Sequence, residues 1–230
     1  MLEVFYEDSD MIVVKKPVGM ESQSVHSFAP DLVSEIRKHI NRLSTIGGEP
    51  YVGVIHRLDK PVGGIMVYAK TKRAAAALSQ QVQNHQMKKE YMAVICGKPV
   101  DNVGNFVDYL LKDGKNNVSK IVDKGITGAK RAELTYEVVD TAEDSGQLLS
   151  LVKIRLLTGR HHQIRVQFAG HGLPLWGDRR YGGPQNGGTR SQAVALSSCG
   201  LSFFHPVTKK WMEFHMEPEG EAFHKFFPSA

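Results

Sequence analysis

The sequence predicts an α+β fold: a mixed, mainly antiparallel bent sheet flanked by a few helices. Three observations carry this. Short apolar or alternating runs of strand length recur along the chain between turn residues. Helical periodicity appears in only a few segments. Neighbouring strands read mostly as antiparallel pairs.

The elements follow in order. Val4–Tyr6 and Met11–Val14 read as a strand pair turned by Asp8-Ser9-Asp10 and stopped at Lys16-Pro17-Val18-Gly19. Residues 31–43 read as a helix with Asp31 as N-cap and Leu32, Val33, Ile36, Ile40 and Leu43 on one face. Gly47-Gly48-Glu49-Pro50 breaks it. Gly64–Ala69 is the next strand, leading into a helix opened by Thr71 that turns Ala74, Ala75, Leu78 and Val82 inward. Tyr91–Cys96 is a further strand, ended by Gly97-Lys98-Pro99.

Beyond it, Ala132, Leu134, Tyr136 and Val138 alternate with polar neighbours, the period of a half-buried strand. Leu148–Leu157 is its antiparallel partner, and residues 140–146 are expected as the loop between them. A short helix is expected from Thr158-Gly159 to Gly170 or Gly172, ahead of Pro174. Leu201–Phe204 and Trp211–Met216 form a closing hairpin around His205–Lys209, and a last amphipathic helix gathers Phe223, Phe226 and Phe227. No Pro/Gly/Ser linker interrupts the chain, so residues 1–230 are expected to form a single domain.

Composition narrows the class. With 41% hydrophobic and 23% charged residues, the chain has the balance of a globular enzyme. No run approaches the roughly 20 apolar residues of a membrane span. The first residues carry neither a basic flank nor a signal-length apolar stretch, and the two cysteines, Cys96 and Cys199, suit a reducing compartment. A cytoplasmic location follows as the expectation. Lys and Arg outnumber Asp and Glu by 29 to 24, a net charge of +5 that suits a polyanionic partner without demanding one.

The motifs that are missing restrict the chemistry further. A phosphate loop fails because Met92 stands where its first glycine belongs and Pro99 follows Gly97-Lys98. Gly170-His171-Gly172 runs into Pro174 and cannot be a dinucleotide fingerprint. There is no nucleophile elbow, and the cysteines and histidines lack zinc spacing. Neither metal, nucleotide nor any other cofactor is expected, which leaves chemistry done by side chains.

Three segments concentrate such side chains. Val54–Lys70 delivers His56, Arg57 and Asp59 into a loop that Gly63 and Gly64 allow to turn; a surface salt bridge is the plainer reading of its Arg-x-Asp spacing. Leu157–Gln167 crowds Arg160, His161, His162 and Gln163 at an expected helix start, where cations oppose the helix dipole unless an anion docks there. Met87–Val94 sets Lys88 and Lys89 before Tyr91, which taken singly reads as a core or rim tyrosine.

Together these segments resemble the RluA-type pseudouridine synthase family. The H-R-L-D element stands as His56-Arg57-Leu58-Asp59 and runs through Gly64 to Ala69-Lys70; K-x-Y-x-A stands as Lys89–Ala93. T-G-R-x-H-Q-I-R stands as Thr158–Arg165, followed by Gly172–Asp178 and Tyr181-Gly182. Lys16-Pro17-Val18-Gly19 and Phe203-Phe204-His205-Pro206 match the leading and closing elements, so the resemblance runs in order along nearly the whole chain. Two departures stand out: Val62-Gly63 replaces a Thr-Ser pair, and His161 replaces a Thr or Ser.

The resemblance implies a pseudouridine synthase catalytic domain standing alone, without an N-terminal S4-type RNA-binding domain, acting as a monomer on a stem-loop of ribosomal or transfer RNA. It implies Asp59 as the catalytic carboxylate, working on a flipped-out uridine. Arg165 pairs with Asp59 and keeps it charged, and Tyr91 abuts the uracil. Arg57 fills the space the base leaves. His56, Lys16, Lys89, Arg160, His162 and Gln163 contact the RNA. Three alternatives stand beside this reading: an RNA-binding module of the same fold without catalysis, a hydrolytic base glycosidase, and a structural domain with a basic face.

Overall fold

A computed structural model describes residues 2–24, 30–43, 48–144, 146–183 and 193–227. The chain divides into two compact units, residues 1–89 with 198–217, and residues 90–197 with 218–230.

The first unit is a sheet with two helices. Strands β1 (Val4–Glu7) and β2 (Met11–Lys16) form the expected antiparallel pair, closed by Asp8, whose Oδ1 accepts the Asp10 and Met11 N–H groups. Helix α1 (Leu32–Leu43) starts where Asp31 Oδ1 accepts the Ser34 N–H at 2.7 Å, and it buries Leu32, Val33 and Ile36. Strand β3 (Gly53–Val54) pairs with β4 (Gly63–Ala69), which also pairs with β2 from Met11↔Ala69 to Lys16↔Gly64. Every residue of β4 is buried, as its unbroken apolar run requires. Helix α2 (Lys72–Gln83) is capped by Thr71, whose hydroxyl accepts the Ala74 N–H.

Strand order in this unit is β1-β2-β4-β10, where β10 spans Leu196–Phe204 and carries β11 (Trp211–His215) as the antiparallel partner expected of the closing hairpin. Met11, Val13, Ile65, Val67, Leu78, Leu201 and Phe203 make the core, with Ala75 and Val82 packed on its margin. Each such buried aliphatic side chain contributes about 1.5–3 kcal/mol.

The second unit has strand order β5-β9-β8-β6-β7, all antiparallel. These strands are β5 (Lys88–Cys96), β6 (Val103–Asp113), β7 (Val118–Val122), β8 (Lys130–Asp144) and β9 (Gln147–Leu156). The expected loop over 140–146 is instead ladder: β8 and β9 stay paired to Asp144↔Gln147, after a register shift between Val138 and Asp140. Ladder bonds are made by backbone, so polar side chains do not stop them, and Gly146 at φ +79° makes the tight turn. Strands β6 and β7 had no counterpart in the sequence reading.

Helix α3 (Gln163–Gly170) begins five residues later than expected. Helix α4 is a single turn, Glu221–His224; Phe223 is buried beneath it, and Phe226 and Phe227 pack on the same cluster with Val94, Leu151 and Trp176. No helix among the described residues is long and apolar enough to cross a membrane.

Candidate active site and RNA interface

In the first unit, the segment carrying Asp59 leaves the sheet where β3 peels away from β4. The backbone ladder ends at Val54↔Tyr68, and the next free donor, the Val67 N–H, is taken by His56 Nε2 at 3.3 Å. An imidazole stands in for a strand carbonyl. Because Nε2 accepts, the ring proton sits on Nδ1, which is buried and has no partner among the described residues. Burial, with Lys89 nearby, pushes His56 down to about 3, so it is neutral at physiological pH.

Arg57 then points to solvent, Leu58 is buried, and Asp59 is half-buried. The loop is pinned at Leu58 from both sides: its N–H donates to Ser22 Oγ at 3.0 Å, and the same hydroxyl donates to its carbonyl at 2.9 Å. The Val62 N–H closes a turn on the Asp59 carbonyl, and the Gly19 N–H holds the Lys60 carbonyl. Val62 is 2% exposed, so the first departure from the family pattern places an apolar anchor under this turn. Gly64 at φ +126° lies against Ser198; a Cβ there would stand 2.3 Å from the Ser198 carbonyl oxygen.

Lys16 lies beneath the same loop. Its side chain is fully buried, and Nζ donates to the carbonyls of Pro17, Met20 and Lys60 at 3.0, 2.6 and 3.3 Å. Burial lowers it to about 8, against the upward pull of Asp59 and Glu21. The expected RNA contact by Lys16 is therefore replaced by an internal one: an ammonium with three carbonyl acceptors braces the 16–20 turn against the Asp59 loop. Lys89 differs. It is half-buried, burial lowers its pKa, and it makes no side-chain hydrogen bond or ion pair among the described residues.

In the second unit, Tyr91 is 5% exposed on β5, paired in register with Ile154. The T-G-R segment is a turn, not the first turn of a helix. Thr158 does not cap α3; its hydroxyl accepts the Glu133 N–H and donates to Gln163 Oε1, both at 2.8 Å. Gln163 is buried and spans the turn, accepting the Arg160 N–H and donating to the Glu133 carbonyl. The helix starts at Gln163 because His162 adopts φ +54°, a left-handed conformation that interrupts helical geometry. Arg160 remains exposed, its Nε donating to the Arg131 carbonyl.

Arg165, in the first turn of the buried helix, forks onto Asp178: Nε to Oδ2 at 2.7 Å and Nη2 to Oδ1 at 2.9 Å. Its guanidinium also lies 5.2 Å from the Tyr181 ring centroid. Tyr181 anchors a second network. Its hydroxyl accepts the Ser119 N–H and meets His162 Nδ1 at 2.7 Å. His161 stacks on His162 with ring centroids 3.8 Å apart, and bridges Ser119 Oγ and Asn117 Oδ1 at 2.9 and 3.1 Å. The second departure from the family pattern thus ties the β6–β7 turn to the turn before α3.

Two residue groups emerge, one per unit: His56, Arg57, Asp59, Lys16 and Lys89 in the first, and Arg160, His161, His162, Gln163 and Arg165 in the second. Ser22, Ser119 and Asp178 were not foreseen. Asp178 stood inside a recognised motif, whereas nothing local marks Ser22 or Ser119.

A family model described as RNA pseudouridylate synthase matches residues 10–170. An uncharacterized RNA pseudouridine synthase of Aquifex aeolicus is 33% identical over 229 residues, covering 96% of this chain and 71% of that protein. The ribosomal large subunit pseudouridine synthase D of Zymomonas mobilis is 33% identical over 224 residues, covering 94% and 69%. Among solved structures, human RNA pseudouridylate synthase domain containing 4 shares the fold at a TM-score of 0.80 with 19% identity, covering 98% of this chain and 93% of that one. With the sequence motifs in order and the match extending through both units, the chain belongs to the RNA pseudouridylate synthase family, enzymes that isomerise uridine within RNA.

Proposed function

We propose that residues 1–230 act as one catalytic domain, monomeric and cytoplasmic, that converts uridines of a structured RNA to pseudouridine through Asp59. The observation that carries this reading is the Asp59 loop itself. A half-buried carboxylate sits beside an exposed Arg57, on a turn held by Ser22, Lys16 and Gly19 from outside the motif. Rigid support of that kind is what positioned catalysis needs.

The target base leaves its stack. Asp59 assists cleavage between ribose and uracil N1, and the uracil turns and rejoins through C5, whose proton passes to solvent while N1 takes one up. The bond is broken and remade in one pocket, with no cofactor in any step. Arg57 takes the position of the flipped base, and Tyr91 abuts the uracil and serves the C5 proton. Arg165 is assigned as the cation that keeps Asp59 ionised. Arg160, His162 and Gln163 contribute to holding the RNA backbone, with His56 and Lys89. Ribosomal RNA is the first substrate to try, since a relative 33% identical over 94% of this chain is named for the large ribosomal subunit. Transfer RNA is the second.

The test is tritium release from ribosomal and transfer RNA labelled at uridine C5, comparing wild type with Asp59→Asn. Release by wild type alone, without free uracil, supports the reading. Free uracil that still carries its tritium, with none released to water, identifies a glycosidase instead. RNA binding without release identifies a non-catalytic module.

A further inference from the structure

We propose that Phe204, Trp211 and Lys88 form a stacking platform in the first unit that takes an unpaired base of the RNA and the phosphate beside it. This deepens the proposed function and rests on it for the identity of the polymer.

The closing hairpin sorts its side chains by face. Leu201 and Phe203 lie in the core, and their strand partners Phe214 and Met212 pack against it. Phe204 and Trp211 are the last cross-strand pair before the turn, and directly opposed residues share a face. That face is open: Phe204 is 40% exposed and Trp211 37%. Their ring centroids are 4.8 Å apart with the planes at 64°, so the two rings make one bent apolar surface. Lys88, exposed at the start of β5, holds its Nζ 5.2 Å from the Trp211 centroid.

A cross-strand aromatic pair can serve only to hold a hairpin together. This hairpin is held by other means. The Gln81 side chain accepts the Phe204 N–H at 2.8 Å and donates to the Phe204 carbonyl at 2.7 Å. His205 Nδ1 accepts the N–H groups of Val207 and Thr208 in the turn. The backbone is fixed, so the exposed rings are presented rigidly. Charge then selects the partner. Lys88 lies over the indole and Lys209-Lys210 directly precede it, against one carboxylate, Glu213, that touches the pair. Glu213 takes the Trp211 Nε1–H at 2.6 Å, a bond in the ring plane that orients the indole and leaves its faces to other partners. Aromatic faces beside ammonium groups are what single-stranded nucleic acid recognition uses: bases stack on the rings and lysines meet the phosphates. A base within a helix has both faces covered, so the platform fits an unpaired nucleotide flanking a stem. An exposed cation–π contact is weaker than base stacking, so an incoming base displaces the Lys88 head, whose charge passes to the adjoining phosphate.

The full chain is titrated with dodecauridylate while tryptophan emission is followed. Trp176, the second tryptophan, is buried, so quenching reports on Trp211. Saturable quenching is expected in wild type and is abolished in Trp211→Leu. Affinity for the labelled oligomer should fall about 5- to 100-fold in Trp211→Leu and be largely kept in Trp211→Phe. An abasic ribose-phosphate strand of the same length should bind wild type and Trp211→Leu alike, whereas a misfolded variant would lose both ligands. In Lys88→Met the slope of log affinity against log salt should fall by about 0.7, the share of one phosphate contact on a single strand. Equal affinity of wild type and Trp211→Leu for dodecauridylate overturns the platform; a sedimenting mass that falls in Trp211→Leu then assigns the rings to a second copy of the chain. Tritium release from the same preparations separates the two readings. Release with Trp211-independent binding leaves the isomerase standing and removes the platform; Trp211-dependent quenching without release does the reverse.

Discussion

Arg165 and Asp178 meet as a two-pronged fork, with side chains 5% and 1% exposed and bonds of 2.7 and 2.9 Å. Asp178 Oδ1 also accepts the N–H groups of Arg180 and Tyr181, so the carboxylate organises the loop that brings Tyr181 to the guanidinium. A pair this dry is worth most as a pair. Removing one member leaves a charge that has lost its water and gained nothing. Asp178→Asn is therefore expected to cost about 3–5 kcal/mol of folding stability, measured by urea denaturation. A loss below about 1 kcal/mol would show that Arg165 has enough other partners to do without the fork.

The Gly64 position permits a sharper test of backbone packing. Ala at this φ is strained by about 1 kcal/mol or more, and its Cβ meets backbone of Ser198 that cannot swing aside. Gly64→Ala should lower the melting temperature strongly, whereas Gly114→Ala, where nothing lies within 4 Å of the new Cβ, should leave it nearly unchanged.

Stability should also depend on pH in two separate windows. His56 is held at about 3 against an ordinary 6.5, so between those values the unfolded chain binds a proton that the native one refuses. Its contribution is complete above pH 6.5 and is lost as pH falls toward 3. Lys16, at about 8 against 10.5, follows the same sign at the alkaline end: stability rises as pH increases from 8 to 10.5. Urea titrations of wild type and Lys16→Met should differ in slope across that upper window; parallel curves there would contradict the assignment.

Ser119 and His161 should be energetically coupled. Each touches the other at 2.9 Å, and each has a further tie, Ser119 to Tyr181 and His161 to Asn117. A double-mutant cycle with Ser119→Ala and His161→Ala is expected to give a coupling of about 0.5–3 kcal/mol. Strict additivity would mean that the stacked histidines, not the hydroxyl contact, position this turn.

What the sequence made legible were features whose cause is local. The Asp31 and Thr71 caps bond backbone three residues away, and the apolar run of β4 needs only its own composition to signal burial. The start of α3 could not be read this way. Thr158 looks like a cap, but its hydroxyl is claimed by Glu133, 25 residues distant, and His162 ends the extended segment by backbone conformation. Strand β6 escaped for a related reason. Among Val103, Phe106, Val107, Leu110 and Leu111, only Phe106 and Leu110 are buried, so the apolar positions show no period of two. The motifs singled out Asp59, Tyr91 and Arg165 as candidates, while Ser22 and Asp178, which hold Leu58 and Arg165 within their own units, depend on contacts that only folding creates.

The contact between Gly64 and Ser198 sets an order of events in time. The first unit is not contiguous: its sheet needs β10, and residues 90–197 must all be synthesised before Ser198 exists. On a chain emerging from its N-terminus at roughly 5–20 residues per second, β4 waits several seconds or longer with one flank uncovered. Residues 90–197 include nearly all of the second unit and can collapse during that wait. Truncations upstream of β10 should therefore yield chains prone to associate through an unpaired strand edge.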